Sequence, residues 1–432
     1  MAKNKEKEVI QLKKGKSEFV LIGKAKVNER TFQIDVESKN SDWMYNRLNL
    51  GVDCGADGVI YASMMGGFGT ERENKCFVHG TKPRVDKDGK ELEGHVDDFS
   101  NQFEIAWEDR KDEEILKTVG EMCFIKIGLH KDDNDKTIVH KFISQYDAIE
   151  FLQENLEEGM VINVKGNLVY QEYNGNLTVN KEITSIFLSK AEDEEDFKAT
   201  FFQTMILNAD SIGKVDKETR RIPITGQIVE LFRTYNGKEL ERINPNSKSG
   251  KSKGQFLPIP KTFEFEVGED LDKAKKMLKI FKVKSKKKAN VMTIEGKFSR
   301  GAVNTVTITE KDLPDDIKEL VELGFIDLET AIGQMASANN QGSAPEIMII
   351  TKPRIYYREE NEMKIPTVDK QEEVYDLEDL ILEQIIEEST VKANQEEDST
   401  KEHEDEDGSA LDKLLNGEDD DEDDGWLTGL DE

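Results

Sequence analysis

Trp43, Tyr45 and Arg47 alternate along a predicted strand, while Met44 and Leu48 point the other way. That spacing puts two flat rings and a guanidinium on one face of a sheet. Exposed rings stack on unpaired bases, each contact contributing about 1–3 kcal/mol, and a guanidinium neutralises phosphate. Tyr170 and Tyr173 flank a predicted tight turn at Asn174-Gly175; Phe232, Arg233 and Tyr235 flank a second at Asn236-Gly237. The same rings would equally serve as core residues or cross-strand pairs, so both readings stay open.

Cations accompany the rings. Asn244 to Gly254 carries Lys248, Lys251 and Lys253 among Ser, Gly and Asn, the composition of an exposed clamp over a phosphate backbone. Lys282 to Lys288 holds five lysines in seven positions, among them Lys284, Lys286 and Lys287. Lys3, Lys5, Lys7, Lys13 and Lys14 form a basic arm. In each case a merely solvated charge run is the alternative.

Other chemistries find less support. Gly250-Lys251-Ser252 ends like a phosphate-binding loop, but the glycine needed five residues earlier is Pro245. Cys54, Cys76 and His79 are zinc-ligand types without a fourth ligand at a useful spacing. Asp132 to Asp135 lacks the glycine and distal Glu of a calcium loop, and Gly66 to Gly69 lacks dinucleotide-fingerprint spacing. Five histidines are scattered without a nucleophile motif. No active site, metal or cofactor is expected.

The elements that must position these residues are mostly strands. Trp43–Val52 and Val59–Met65 read as a hairpin across Cys54 to Gly58, and 81–97 as a charged loop. Residues 146–158 place Ile149, Leu152 and Leu156 on one helical face, with Gly159 as the stop. The strand Met160 to Gly166 follows, then Leu168 to Tyr173, the turn, and a return strand with Leu177, Val179 and Ile183 on one side. Lys181 is the exception on that apolar face. A parallel unit recurs at 262–300, where Phe263, Phe265 and Val267 precede a helix bearing Leu271, Ala274, Leu278 and Phe281. Met292, Ile294 and Phe298 then alternate around Gly296. A repeated supersecondary unit predicts two related domains. A helical insertion is expected at 314–337, with Ile347 to Ile350 as the last barrel strand.

Strand, helix, glycine, strand, tight turn, strand is the order in which an OB-fold closes. Gly159 to Leu188 resembles the last third of bacterial single-stranded DNA-binding proteins, with Ile162, Val164 and Gly166 on the family's G-x-x-V-x-V-x-G strand. The tail carries a second resemblance. Glu418 to Asp424 is wholly acidic and runs into Trp426, Leu427 and Leu430, similar to the acidic tails with which replication single-strand binders dock partner enzymes. It departs from the bacterial Pro-Phe ending, since two acids follow Leu430, and that points to a phage-type set of partners.

Charge divides the same way. The chain of 432 residues has a net charge of −30, of which residues 361–432 hold 28 acids against 5 bases. Residues 201–300 carry 22 Lys or Arg against 12 Asp or Glu. Local potential, not the sum, governs phosphate binding. No apolar run reaches the roughly 18 residues a membrane helix needs, and the lysine-rich start lacks a signal-peptide core. Cytoplasm, that of a bacterial host for a phage protein, is the expected compartment.

The expected fold is mainly β with inserted helices (α+β): two tandem OB-type β-barrels and a disordered acidic tail. The boundaries are a basic arm 1–17, first barrel 18–190, linker 191–199, second barrel 200–358 and tail 359–432 with short helices. The expected function is sequence-tolerant single-stranded DNA binding in replication, recombination or repair. Trp426, Leu427 and Leu430 would recruit partner proteins, and a cationic groove would at times hold the tail itself. Alternatives are an RNA-binding OB protein and an acidic adaptor or DNA mimic that binds proteins.

Overall fold

Alternation of apolar and polar residues makes Ser17–Lys26 the strand β1, its Phe19, Leu21 and Ala25 turned inward. The computed structural model describes residues 12–86, 89–173, 176–243, 251–300, 346–360 and 363–387. β2 (Phe32–Glu37), β3 (Trp43–Asp53) and β4 (Val59–Gly69) form a meander after β1. A projecting ribbon, β5 (Lys75–Val85) and β6 (Glu91–Ala106), comes next. Then follow α1 (Glu113–Leu116), β7 (Ile125–Lys131), β8 (Thr137–Phe142), α2 (Gln145–Asn155), β9 (Val161–Tyr173) and β10 (Asn176–Leu188).

Backbone pairing runs β1–β3, β3–β4, β4–β10, β10–β9 and β9–β1, which closes a five-stranded barrel. β4 and β10 are parallel, every other junction is antiparallel, and α2 precedes β9. This is the OB-type order. Gly23 permits the closure: a Cβ there would lie 2.0 Å from the Asp53 carbonyl oxygen, where β1 crosses onto β3.

Downstream come β11 (Lys198–Leu207), β12 (Arg221–Phe232), β13 (Thr234–Tyr235), β14 (Lys238–Glu239), β15 (Glu241–Ile243), β16 (Lys251–Lys253) and β17 (Gln255–Glu266). α3 (Leu271–Phe281), β18 (Lys288–Arg300) and β19 (Glu346–Pro353) complete a second cycle. Its pairs are β11–β12, β12–β17, β17–β19, β19–β18 and β18–β11, with β17–β19 the parallel one. The correspondence extends to single residues. Phe19 of β1 pairs with Gly166 of β9, and Phe201 of β11 pairs with Gly296 of β18. In both places a Cβ on the glycine would collide with the phenylalanine ring, at 2.7 and 2.2 Å. β1 and β11 also pair antiparallel, Ser17 to Ile22 against Lys198 to Gln203, so one continuous sheet and one buried cluster span both cycles.

Three expectations need correction. Residues 81–97 are not a loop but lie largely in the outer part of the β5–β6 ribbon, where most side chains are exposed and no buried alternation betrays it, while Val78 and Ile105 nearer its base are buried. Leu271, expected on the packed face of α3, is exposed at its first turn. The folded body also does not end after Tyr357. β20 (Ile355–Glu360) and β21 (Met363–Val368) form a hairpin, and β22 (Lys370–Asp376) pairs with β18. Leu380 is buried with Leu12, Ile206, Val229 and Ala289, and Leu377 and Ile385 pack beside it. High local charge had hidden this strap, because only alternate residues need face inward. The expected linker contains a 3-10 turn at Glu194–Asp196, and β11 begins at Lys198. The expected insertion at 314–337 and the arm from Lys3 to Lys7 lie outside the described residues. No helix among the described residues is long and apolar enough to cross a membrane.

Candidate nucleic-acid interface

The outer surface of β3 and β4 is set by strand parity. Leu48, Leu50 and Val52 of β3 and Ile60, Ala62 and Met64 of β4 fill the core. Tyr45, Arg47 and Asn49 therefore face outward beside Tyr61, Ser63, Met65 and Gly67. Register aligns Tyr45 with Gly67, Arg47 with Met65, and Gly51 with Tyr61. The Tyr61 ring lies over Gly51, where an added Cβ would stand 3.1 Å from Cε1. The Arg300 guanidinium lies 5.1 Å from the centroid of the same ring. Tyr45 and Arg47 are thus brought together as expected. Tyr61, Met65 and Arg300 were not anticipated, although alternation through Val59–Met65 carries Tyr61 and Met65.

Trp43 shares this parity but is not available for stacking. It is only 7% exposed, with Arg72 over its ring at 5.8 Å. The segment that follows β4 folds back through an Asp42–Arg72 ion pair of 3.7 Å and covers the indole. Its Nε1 is buried without a hydrogen-bond partner. Tyr170 is likewise interior: its hydroxyl bonds Gln203 at 3.0 Å, and burial raises its pKa above the ordinary phenol value. Phe232 is buried against Tyr235, edge to face at 5.7 Å. Tyr170 and Phe232 took the core alternative, because sequence spacing cannot tell which face of a closed barrel a strand turns inward; Trp43 keeps the outward parity and is covered by the segment after β4. Tyr173 ends β9, and its side chain lies outside the described residues, as do Lys248, Trp426, Leu427 and Leu430.

Tyr235 remains half-exposed in the connection between β12 and β17, with Glu172 of β9 close enough to help burial raise its pKa. Arg233 and Lys251 are half-buried and Lys253 exposed in the same connection, Lys251 lying 3.9 Å from Glu241. Arg242 fixes that loop by donating to the Lys253 and Gly254 carbonyls at 2.8 and 3.0 Å. Lys284, Lys286 and Lys287 stand exposed on the turn between α3 and β18. Glu372 of β22 lies close enough to Lys284 for the two charges to interact.

Lys181 explains itself at the junction of the two cycles. It is buried, pairs with Glu346 at 2.5 Å and stands 4.7 Å above the Phe298 ring. Arg300 Nε approaches the same carboxylate at 4.0 Å, and Lys261, its pKa lowered by burial, feels it as well. Lys181, Arg300 and Lys261 thus all lie near one carboxylate, that of Glu346.

The zinc-type residues do not assemble. Cys54 is sealed in the barrel core, which raises its thiol pKa, and burial pushes Cys76 up to about 11. His79 instead meets Cys123, with Sγ to Nδ1 at 3.2 Å, while its Nε2 meets Asp97 Oδ1 at 2.8 Å. The sulfur is also 3.8 Å from Nε2, so it lies over the ring face rather than on a ring-nitrogen lone pair, and the three side chains do not form a ligand set. Among the described residues no group of three or more such side chains could hold a metal.

A family profile described as YorF matches residues 125–312. No curated protein matches the chain. Among solved structures, the chain is similar to the wild-type single-stranded DNA-binding protein from Thermus aquaticus, at 11% identity and a TM-score of 0.24, covering 67% of this chain and 87% of that one. A deletion mutant of that protein matches at 11% identity and a TM-score of 0.24, covering 66% of this chain and 88% of the other.

Proposed function

We propose that the chain is a tandem OB-type protein that binds unpaired DNA strands without turnover or cofactor. One observation carries this reading. The outer face of the second and third barrel strands, the surface on which OB-folds take oligonucleotides, presents Tyr45, Arg47, Tyr61 and Met65, with Arg300 of the second cycle laid over Tyr61. Rings supply sequence-tolerant stacking, and the guanidinium groups of Arg47 and Arg300 offer positive charge to the phosphates. The acidic residues beyond 387, with Trp426, Leu427 and Leu430, recruit replication or recombination proteins, in the cytoplasm of a phage-infected bacterium.

The test is fluorescence anisotropy of labelled oligo-dT with the full chain and with a chain ending at Glu387, at two salt concentrations. Both should bind, less tightly at higher salt, and Tyr45→Leu with Tyr61→Leu should weaken binding. Absence of binding by the shortened chain at low ionic strength defeats the proposal. Tighter capture of oligo-U than of oligo-dT moves it to RNA.

A further inference from the structure

The equivalent helices of the two cycles carry opposite charge. Between Gln145 and Asn155, α2 bears Asp147, Glu150 and Glu154 and no Lys or Arg. The run from Lys273 of α3 to Lys288 of β18 holds nine lysines and no acid. The fold thus accepts an acidic helix in this place, and the lysines of α3 are not needed to build the barrel. They work against the helix instead, since Lys275 and Lys276 each stand about one turn from Lys279 as like charges. Only Ala274 and Phe281 of α3 are buried in the core.

These lysines are presented rather than paired. All nine except the half-buried Lys288 are exposed. Among the described residues none of the nine forms an ion pair within 4.0 Å, although the charge of Glu372 reaches Lys284. Lysines elsewhere are neutralised, as Lys14 is by Glu230 at 2.6 Å, and Lys126 and Lys141 are by Glu121 at 2.8 and 2.5 Å. The backbone beneath the platform is fixed. Asp270 caps α3 by accepting from the Lys273 N–H at 2.9 Å, and Ser285 Oγ accepts from the Lys287 and Lys288 N–H groups at 3.3 and 3.1 Å. The Leu377 N–H donates to the Lys287 carbonyl at 2.9 Å and ties the turn to the segment after β22. Phe281, the one aromatic residue from Leu271 to Lys288, is buried, so the platform offers no ring. Lys288 lies near one end of β18 and Arg300 at the other, about 40 Å along the strand at about 3.3 Å per residue. The platform is therefore separate from the face around Tyr61.

We propose that α3 and the turn into β18 form a second nucleic-acid site, which grips the phosphate backbone of duplex DNA. A cationic face without rings cannot stack on bases, and it suits a ligand whose bases are already stacked inside. Duplex DNA presents one negative charge per about 1.7 Å of its axis, and each lysine meets phosphate as a point charge on a flexible stem. With an unpaired strand on the ring face, one chain straddles the junction at which a duplex opens. That step rests on the function proposed above, whereas duplex binding by the lysines does not.

Anisotropy titrations of the full-length chain across a salt series test this with three labelled probes: a blunt duplex, oligo-dT, and a duplex carrying an unpaired dT arm long enough to span β18. The blunt duplex should bind, and the armed duplex should bind at least about tenfold more tightly than either part. Lys276→Gln combined with Lys279→Gln and Lys286→Gln changes three exposed side chains. It should weaken duplex binding about tenfold, flatten the salt slope for duplex by about two to three units, and leave oligo-dT affinity within about twofold. Tyr45→Leu with Tyr61→Leu should do the reverse. A wild-type chain that ignores blunt duplex at low ionic strength overturns the proposal, and so does a triple variant that keeps duplex affinity or loses duplex and oligo-dT alike. Capture of a peptide of residues 388–432 in place of duplex also overturns it, by assigning the lysines to the acidic end of the chain. Loss of oligo-dT binding alone, with duplex retained, defeats the ring-face reading and leaves the duplex site standing.

Discussion

The Arg300 guanidinium stands 5.1 Å from the centre of the Tyr61 ring, which joins the fourth strand of the second cycle to the third strand of the first barrel. That contact orients the ring beside Gly51 and leaves Tyr45 and Arg47 further along the same face. Tyr61→Leu and Tyr45→Leu should each weaken oligo-dT binding by about 1–3 kcal/mol, or about 5- to 150-fold. Tyr170→Phe is the internal control. Its ring is interior and its hydroxyl serves only Gln203, so affinity should hold while stability drops by about 1 kcal/mol. Anisotropy titrations and urea melts measure the two quantities separately.

Arg47 and Arg300 should contribute through phosphate rather than base contacts. Replacing either by Ala should lower affinity for every sequence alike and flatten the plot of log affinity against log salt by about one unit. Lys131, tied to Asp135 at 2.6 Å on the far turn of β7, should leave that slope unchanged. A salt series on homopolymers of different bases decides the matter.

The barrel was legible where sequence periodicity and stereochemistry agree. Gly166 and Gly296 announce themselves because each sits in an alternating strand after a helix, and each proves to lie opposite a strand-one phenylalanine. Trp43, Tyr170 and Phe232 show where that logic ends. Alternation says that two sets of residues face opposite ways, but closure and the segment crossing over Trp43 decide which set meets solvent. Arg300 and the pairing of His79 with Cys123, 44 residues away, depend on contacts between elements and leave no local pattern. The strap strands β20, β21 and β22 were missed because acidic residues dominate that stretch.

That strap makes a truncation prediction. Removing residues 361–387 strips β22 from β18 and uncovers Val229, Ala289 and Val291. A chain ending at 360 should lose several kcal/mol, since one buried leucine such as Leu380 contributes about 1.5–3 kcal/mol. A chain ending at 387 should melt like the full protein. Equal melting of the two truncations refutes the packing role.

Arg110 donates to both oxygens of the buried Asp147, at 2.7 and 3.1 Å, while stacking 4.0 Å over Trp107. The contact ties the end of the ribbon to the first turn of α2. Arg110→Ala leaves a carboxylate that is 4% exposed with only Lys111, at 2.9 Å, as a cationic partner. The expected loss is about 3 kcal/mol, the low end for a broken buried pair. Arg110→Met with Asp147→Leu should recover much of it, as an apolar pair needs no counter-charge. Chemical denaturation of the single and double variants tests both statements.

Asp97 gives the ribbon a pH dependence of known sign. Hydrogen bonds from the Met122 N–H and from His79 hold its carboxyl below the usual carboxylate range. The folded state thus prefers the ionised form more than the unfolded chain does. The unfolded chain binds the proton first on acidification, and stability falls as protons are added. The Asp97 contribution is fully present above about pH 5, where the unfolded carboxylate is ionised, and is lost as pH drops through the folded value. Asp97→Asn removes the charge while keeping the shape, at a cost of about 2 kcal/mol near neutrality. The stability gap between wild type and variant should be widest above pH 5 and close as pH falls below about 4. A gap of constant size across that range would show that the carboxylate acts through shape alone, with no charge held between Met122 and His79.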